Sequence, residues 1–128
     1  MGGWLVASGV SGFLAVALGA FGAHGLQSRL DGVADGAKRL AWWQTAAQYH
    51  LMHALVLAVV AFAVMRAPSA RFAGYAFVVG TLLFSGSLYA MALGAPRFLG
   101  AVTPFGGLAF LAGWATLAYV GFTLRASG

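Results

Sequence analysis

The three histidines are the residues of this chain whose side chains offer the most chemistry. His50 and His53 lie three residues apart, so on a helix they share a face. His24 lies in an earlier segment and could join them from a neighbouring helix. Because imidazole is a common ligand of metals and of haem iron, the three side chains form a candidate ligand set. The sequence has no cysteine and only two acidic residues, so thiolate ligands and most orienting carboxylates are missing.

Hydroxyl, phenol and amide side chains accompany the histidines and define a candidate binding pocket. Its members are His24, Gln48, Tyr49, His50, His53, Ser85, Ser87, Tyr89 and Thr103. A serine beside a histidine is also the beginning of a hydrolase site, but such a site usually needs an orienting carboxylate. Both acidic residues lie in one segment far from these serines in the sequence. We therefore assign no catalytic residue and do not expect an enzyme.

The composition determines which elements must position these side chains. Of 128 residues, 62% are apolar and 7% are charged, whereas soluble domains average about 45–50% apolar and about 25% charged. A soluble domain of this size has too much surface per volume to bury so many apolar side chains. The chain is therefore expected to be an integral membrane protein. Its net charge is +5, and the basic residues lie mostly singly between apolar blocks, so we do not expect nucleic-acid binding.

Four blocks without charged side chains divide the sequence, and each supplies the roughly 20 apolar residues that cross a bilayer. They predict a single transmembrane domain over residues 1–128, an all-α bundle of four helices with both termini on one side. The predicted helices lie near residues 3–23, 42–65, 72–94 and 104–124. We name the membrane side that carries the connecting segments 24–41 and 95–103 the loop-one side.

The first connecting segment has a helical pattern of its own. Its apolar residues recur at spacings of three and four, with charged residues between them. They are Leu26, Leu30, Val33, Ala37 and Leu40. This pattern predicts a short amphipathic helix in the membrane interface after the first span. Trp42 and Trp43 follow it and mark the headgroup level.

The polar residues of the spans are expected at similar depth. At 1.5 Å per residue, His53 lies about 15 Å beyond Trp43, close to the bilayer midplane. His24, Ser85 and Thr103 approach the same membrane half from the other helices, because neighbouring spans alternate in direction. Polar groups at that depth usually face the bundle interior. A polar, histidine-containing pocket opening toward the loop-one side is the expectation.

Small residues predict close packing of the helices. Ser11, Ala15, Gly19 and Ala23 repeat at four-residue spacing in the first span, and such ridges let helix backbones approach closely in lipid. Thr103 and Pro104 predict the start of the fourth helix, with the threonine as N-cap. Gly106 just beyond them favours contact with a neighbouring helix.

Several functions remain open at this point. The leading one is a non-enzymatic membrane protein whose pocket binds a small amphiphile, such as a lipid or quinone, or stabilises a partner. The histidines could instead form a structural hydrogen-bonded network. Two alternatives are a metal- or haem-binding redox protein using His24, His50 and His53, and a small oligomeric transporter or channel, which needs a polar path. Membrane lipids, a second copy or a larger membrane complex are the expected partners, and no cofactor is expected.

Several short motifs stand in order along the chain. They are GAFGAHGL at 19–26, WQTA followed by YH and HAL within 43–55, LFSGSLY at 83–89, TPFGG at 103–107 and GW at 113–114. Together they resemble the signature of the domain-of-unknown-function 423 family, which includes animal transmembrane protein 256. The resemblance implies a small multi-pass protein of the bacterial inner membrane. It implies no activity and no catalytic residue.

Overall fold

Four long helices make up the protein. The computed structural model describes residues 1–128 and contains no strand. The helices are α1 (Gly2–Leu30), α2 (Gly36–Ala63), α3 (Pro68–Ala92) and α4 (Arg97–Ser127). Each is long and apolar enough to cross a membrane, which confirms the expected all-α, four-span fold.

The helix ends on the loop-one side differ from the expectation. α1 continues to Leu30, and α2 begins at Gly36, so the separate interfacial helix expected across residues 26–40 is not formed. α4, on the loop-one side, and α3, on the opposite side, also begin earlier than predicted, each through a short 3-10 turn, Arg97–Ala101 and Pro68–Ala70.

The turn between α1 and α2 has a clear physical cause. Leu26 and Leu30 are buried in a cluster with Trp43, so the apolar spacing serves the last turns of α1. Gly32 then adopts a positive φ of 78°, which ends the helical path at little cost only for glycine. The three-and-four spacing of the segment therefore belongs to two helix ends that meet at a tight turn.

Helices that are neighbours in the sequence are neighbours in space. α1 packs along α2, α4 packs along α3, and α2 and α3 meet in the centre. Because each helix runs opposite to the one before it, both termini lie at the same end of the bundle. The connections are short, as is usual in bundles of antiparallel helices.

The half of the bundle toward the termini has an apolar interior. Its core consists of Val56, Leu57, Val60, Ala73, Phe77 and Phe110. The transporter or channel alternative requires a polar path across this half, and none runs through this packed cluster. The buried polar side chains lie nearer the loop-one side than this cluster; they are His50, His53, Ser85 and Ser87.

Two π-helical turns interrupt the α-helices, Gly22–Leu26 in α1 and Thr81–Ser85 in α3. A π-turn inserts one extra residue and changes the direction in which the following side chains point. The second of these turns ends at Ser85, a member of the predicted pocket. The residues after each turn therefore face directions that a regular 3.6-residue helical period does not predict.

Close helix contacts occur where glycine removes a side chain. A Cβ at Gly106 of α4 would lie 2.7 Å from the Cβ of Phe84 in α3. This contact confirms the expected close approach at Gly106. Thr103, in contrast, makes no side-chain cap at the start of the α-helix and pairs with α3 instead.

Candidate functional site

His50 joins three helices. Its Nδ1 lies 3.0 Å from the Tyr89 hydroxyl on α3, and its Nε2 lies 3.1 Å from the Ser11 hydroxyl on α1. The imidazole is buried between them. Since a hydroxyl can donate or accept a hydrogen bond, this arrangement accommodates either neutral tautomer of the ring.

His53 faces a different neighbour, α4. The indole Nε1–H of Trp114 donates to its Nε2 at 3.2 Å, and its Nδ1 lies 2.7 Å from the Tyr49 carbonyl. Because an indole only donates and a carbonyl only accepts, the bonds require a neutral ring with its proton on Nδ1. The ring also stacks on Phe110 with centroids 3.6 Å apart. His53 thus holds α4 against α2.

Neither Ser85 nor Ser87 forms a hydrogen bond with a histidine. Ser85 donates to the Ala46 carbonyl at 2.8 Å and links α3 to α2. Ser87 donates to the Phe84 carbonyl and lies 2.6 Å from the Thr103 hydroxyl, which links α3 to α4. No serine–histidine pair with the geometry of a hydrolase involves Ser85 or Ser87.

Three predicted pocket residues lie outside the buried polar groups. Gln48 is exposed on α2 and makes no side-chain hydrogen bond. Tyr49 is partly exposed, with its ring 4.6 Å from that of Phe84. His24 is exposed within the π-helical turn of α1. These residues do not share the surroundings of His50.

The structure corrects the expected convergence of three histidines. Ser11, the partner of His50, lies thirteen residues before His24 on one helix, a separation of about 20 Å along its axis. No group of three or more histidine, cysteine or acidic side chains is placed to hold a metal ion. The expectation failed because α1 continues past His24 and carries it toward the interface. His50 and His53, moreover, use both ring nitrogens in hydrogen bonds within the protein.

A groove runs between α1 and α3 over the surface of α2, with a volume of about 370 Å³. His50 lies in its wall with Ser11, Ser85 and Tyr89, and the remaining lining is mostly apolar. Leu82 on its rim is exposed, so the groove opens sideways toward lipid.

Aromatic contacts bound this groove at both ends. Toward the termini, the ring of Trp4 lies 5.2 Å from that of Tyr75 and connects α1 to α3. Toward the loop-one side, the Trp43 ring lies 4.6 Å from that of Tyr89. The groove is therefore a membrane-facing pocket of limited length rather than a continuous channel.

Sequence reasoning missed two polar partners. The four-residue repeat indicates only a packing role for Ser11, although Ser11 is the one hydroxyl in that repeat. The GW motif by itself indicates no partner for Trp114, although Trp114 is the only indole on the fourth span. A buried histidine needs partners for both ring nitrogens, and this requirement was the signal that could have found them.

Comparison with known proteins gives the family. The family described as "Protein of unknown function (DUF423)" matches residues 18–107, which carry both histidines of the bundle interior. The chain belongs to the DUF423 family. This DUF423 protein is 42% identical over 120 residues to a UPF0382 membrane protein of Haemophilus influenzae, with 93% of each chain covered.

Other relatives of this DUF423 protein have similar coverage. It is 42% identical over 114 residues to the UPF0382 membrane protein YwdK of Bacillus subtilis, covering 87% of this chain and 89% of YwdK. It is 41% identical over 126 residues to the UPF0382 inner membrane protein YgdD of Escherichia coli K12, covering 97% and 92%. No solved structure matches the chain. The protein is a multi-pass protein of the bacterial inner membrane, and its relatives are UPF0382 membrane proteins of unknown function.

Proposed function

We propose that the groove between α1 and α3 binds one membrane amphiphile, an apolar chain with an uncharged carbonyl or hydroxyl head group. The protein acts in this proposal as a binding protein and not as an enzyme. The volume of about 370 Å³ falls within the range of small-molecule pockets. Its opening toward lipid gives a membrane-dissolved ligand direct access.

The hydrogen-bonding state of Ser11 and Tyr89 is the observation that carries this proposal. Each hydroxyl has one donor and two acceptor positions. Each makes a single hydrogen bond, to His50, and both line the groove. The remaining capacity of the two hydroxyls can serve a ligand head group. Burial of polar groups in a membrane is costly, so polar atoms at this depth are expected to be used.

The lining of the groove specifies the charge of the ligand. No Lys, Arg, Asp or Glu lies among the lining residues. A charged head group would therefore lose its hydration without gaining a counter-ion, which is strongly unfavourable in an apolar environment. A carbonyl or hydroxyl needs only one or two hydrogen bonds, and the groove supplies them.

A substitution that fills the groove tests the proposal. Gly86 lines the groove, and a Cβ built there meets no atom within 4 Å, so Gly86→Leu adds volume without a backbone collision. Gly121 on α4 is equally open and lies away from the groove, so Gly121→Leu is the matched control. Each protein is purified in mild detergent, and its bound amphiphiles are extracted and quantified by mass spectrometry.

The wild type and Gly121→Leu are expected to retain one neutral amphiphile per chain, and Gly86→Leu is expected to lose it. A wild-type protein free of such molecules would overturn the proposal. Full retention by Gly86→Leu would place the ligand elsewhere and would equally overturn it.

A further inference from the structure

A second group of polar side chains lies on the loop-one side, at the ends of the helices. Asp35 lies just before α2, with its carboxylate 3.3 Å from Arg97 and 3.8 Å from Arg39. Lys38 directly precedes Arg39 in the first turn of α2. We name Asp35, Lys38, Arg39 and Arg97 the loop-one cluster. None of its members lines the groove described above.

Arg39 has a structural role within the cluster. Its Nε donates to the Ala92 carbonyl at 2.9 Å, at the C-terminal end of α3. The carbonyls at such an end carry partial negative charge, which a guanidinium compensates. The Arg39 side chain is largely covered, with 21% of its surface exposed. It therefore holds the helix ends together and offers little to a ligand.

Lys38 and Arg97 are accessible to a ligand, although Arg97 also pairs with Asp35. The Lys38 Nζ and the Arg97 Cζ each lie 5.6 Å from the centroid of the Trp42 ring. The Arg97 side chain is 62% exposed, and Lys38 is exposed as well. Asp35 is the one carboxylate against three cations, so the cluster keeps an excess of two positive charges. One indole thus gathers two exposed cations into a single anion-attracting site.

The surroundings of the site indicate which anion it meets. Trp42 stands at the start of the second apolar block, and indoles at the ends of spans prefer the headgroup level. Leu93 and Phe98, on the turn next to Arg97, are 58% and 73% exposed. Large apolar side chains exposed beside cations are typical of a surface that contacts lipid rather than bulk water. The available anion at that level is a lipid phosphate.

We propose that Lys38 and Arg97, gathered over Trp42, bind the phosphate of an anionic membrane phospholipid. A zwitterionic lipid carries its own cation beside the phosphate, so the excess positive charge of the cluster favours the anionic one. Cations near an anionic leaflet contribute about a fivefold gain in affinity each. The proposal is independent of the groove, because the two sites share no residue.

The opposite end of the bundle offers a matched comparison. Arg66 and Arg71 lie there, both exposed, and the Arg71 Cζ lies 5.0 Å from the centroid of the ring of its neighbour Phe72. They have no acidic partner and share no aromatic ring. The double variant Arg66→Gln/Arg71→Gln therefore removes two positive charges, as many as the double variant Lys38→Gln/Arg97→Gln. It leaves the loop-one cluster unchanged.

Native mass spectrometry of the purified protein with added lipid provides the test. Phosphatidylglycerol and phosphatidylcholine of identical acyl chains are titrated against the wild type and both variants. The wild type and the Arg66/Arg71 variant are expected to prefer phosphatidylglycerol. The Lys38/Arg97 variant is expected to lose about fivefold in affinity for each cation removed and most of its preference. Its thermal unfolding midpoint without lipid should lie close to that of the wild type, since both side chains are exposed and an exposed ion pair such as Arg97–Asp35 contributes little to stability.

Three results would overturn the proposal. The first is equal binding of both lipids by the wild type. The second is an equal loss of affinity in the two variants, because net charge alone would then explain the lipid preference. Inorganic phosphate could compete the lipid away at equal concentration, which would identify a free anion as the ligand. A preserved preference in the Gly86→Leu variant is expected and separates this site from the groove.

Discussion

Gly22 in α1 lies directly against the indole of Trp43 in α2. A Cβ at Gly22 would lie 2.6 Å from Nε1 of that indole, so the absent side chain makes room for the ring. The indole in turn donates to the Leu18 carbonyl at 2.7 Å and is almost fully buried. This contact fixes the register of α1 against α2 and, through it, the depth at which Ser11 meets His50.

Gly22→Ala is expected to destabilise the protein by about 1–3 kcal/mol, because the methyl group displaces a packed ring that has no free space to enter. The free energy of unfolding in detergent, measured by denaturant titration, checks this value. Gly9→Ala in the same helix is the control, since nothing lies within 4 Å of a Cβ there. Equal stability of the two variants would contradict the contact.

The neighbouring glycines of α4 should respond very differently to one methyl group. Gly106→Ala brings a Cβ to 2.8 Å from the Cα of Phe84, so α4 must move away from α3, at a cost of about 1–3 kcal/mol. Gly107→Ala places its Cβ at 4.0 Å from the Phe84 ring, an ordinary contact. Thermal unfolding of both variants should show a lower midpoint for Gly106→Ala only. A comparable loss for Gly107→Ala would show that helix packing at this point is not as described.

Substitutions of His50 and of His24 should differ in their effect on the free energy of unfolding. His50→Ala leaves the hydroxyls of Ser11 and Tyr89 without their partner, which costs about 1–3 kcal/mol. His24→Ala removes an exposed side chain and should change the unfolding free energy by less than about 0.5 kcal/mol. If both substitutions destabilised the protein to the same extent, the two histidines would act together, against the geometry found.

The proton position on His53 can be observed directly. In nitrogen NMR spectra of histidine-labelled protein, Nε2 of His53 is expected to show the shift of an unprotonated nitrogen, and Nδ1 that of a protonated one. Trp114→Phe removes the donor and should shift the Nε2 resonance, while leaving that of exposed His24 in place. A double-mutant cycle of His53→Phe and Trp114→Phe should give a coupling of about 0.6 kcal/mol, the average for such bonds in membranes. A protonated Nε2 would exclude the bond from Trp114.

The number and approximate positions of the spans could be predicted because charge is informative in this chain. Asp and Lys occur only between the four apolar blocks, and apolar blocks of sufficient length have no other stable location. The burial of His50 and His53 followed from their distance to Trp43 along one helix. These conclusions need only the helix rise and the preference of indoles for the interface.

The directions of the side chains could not be predicted in the same way. A separation of three residues leaves about 60° between two side chains on a helix, which suffices to turn His50 toward α1 and α3 and His53 toward α4. The π-helical turns add further shifts of phase that no pattern of residue types announces. The length of α1 beyond His24 depended on burial of Leu26 and Leu30, a tertiary contact.

The packing of each helix on its sequence neighbour has a consequence for biogenesis. In a chain that enters the bilayer from its N-terminus, α2 meets α1 as soon as it is inserted, and the Ser11 hydroxyl is already in place for His50. α3 then brings Tyr89, and α4 brings Trp114 for His53. The costly polar groups thus acquire their partners in the order of synthesis, and the bundle can assemble one helical hairpin at a time.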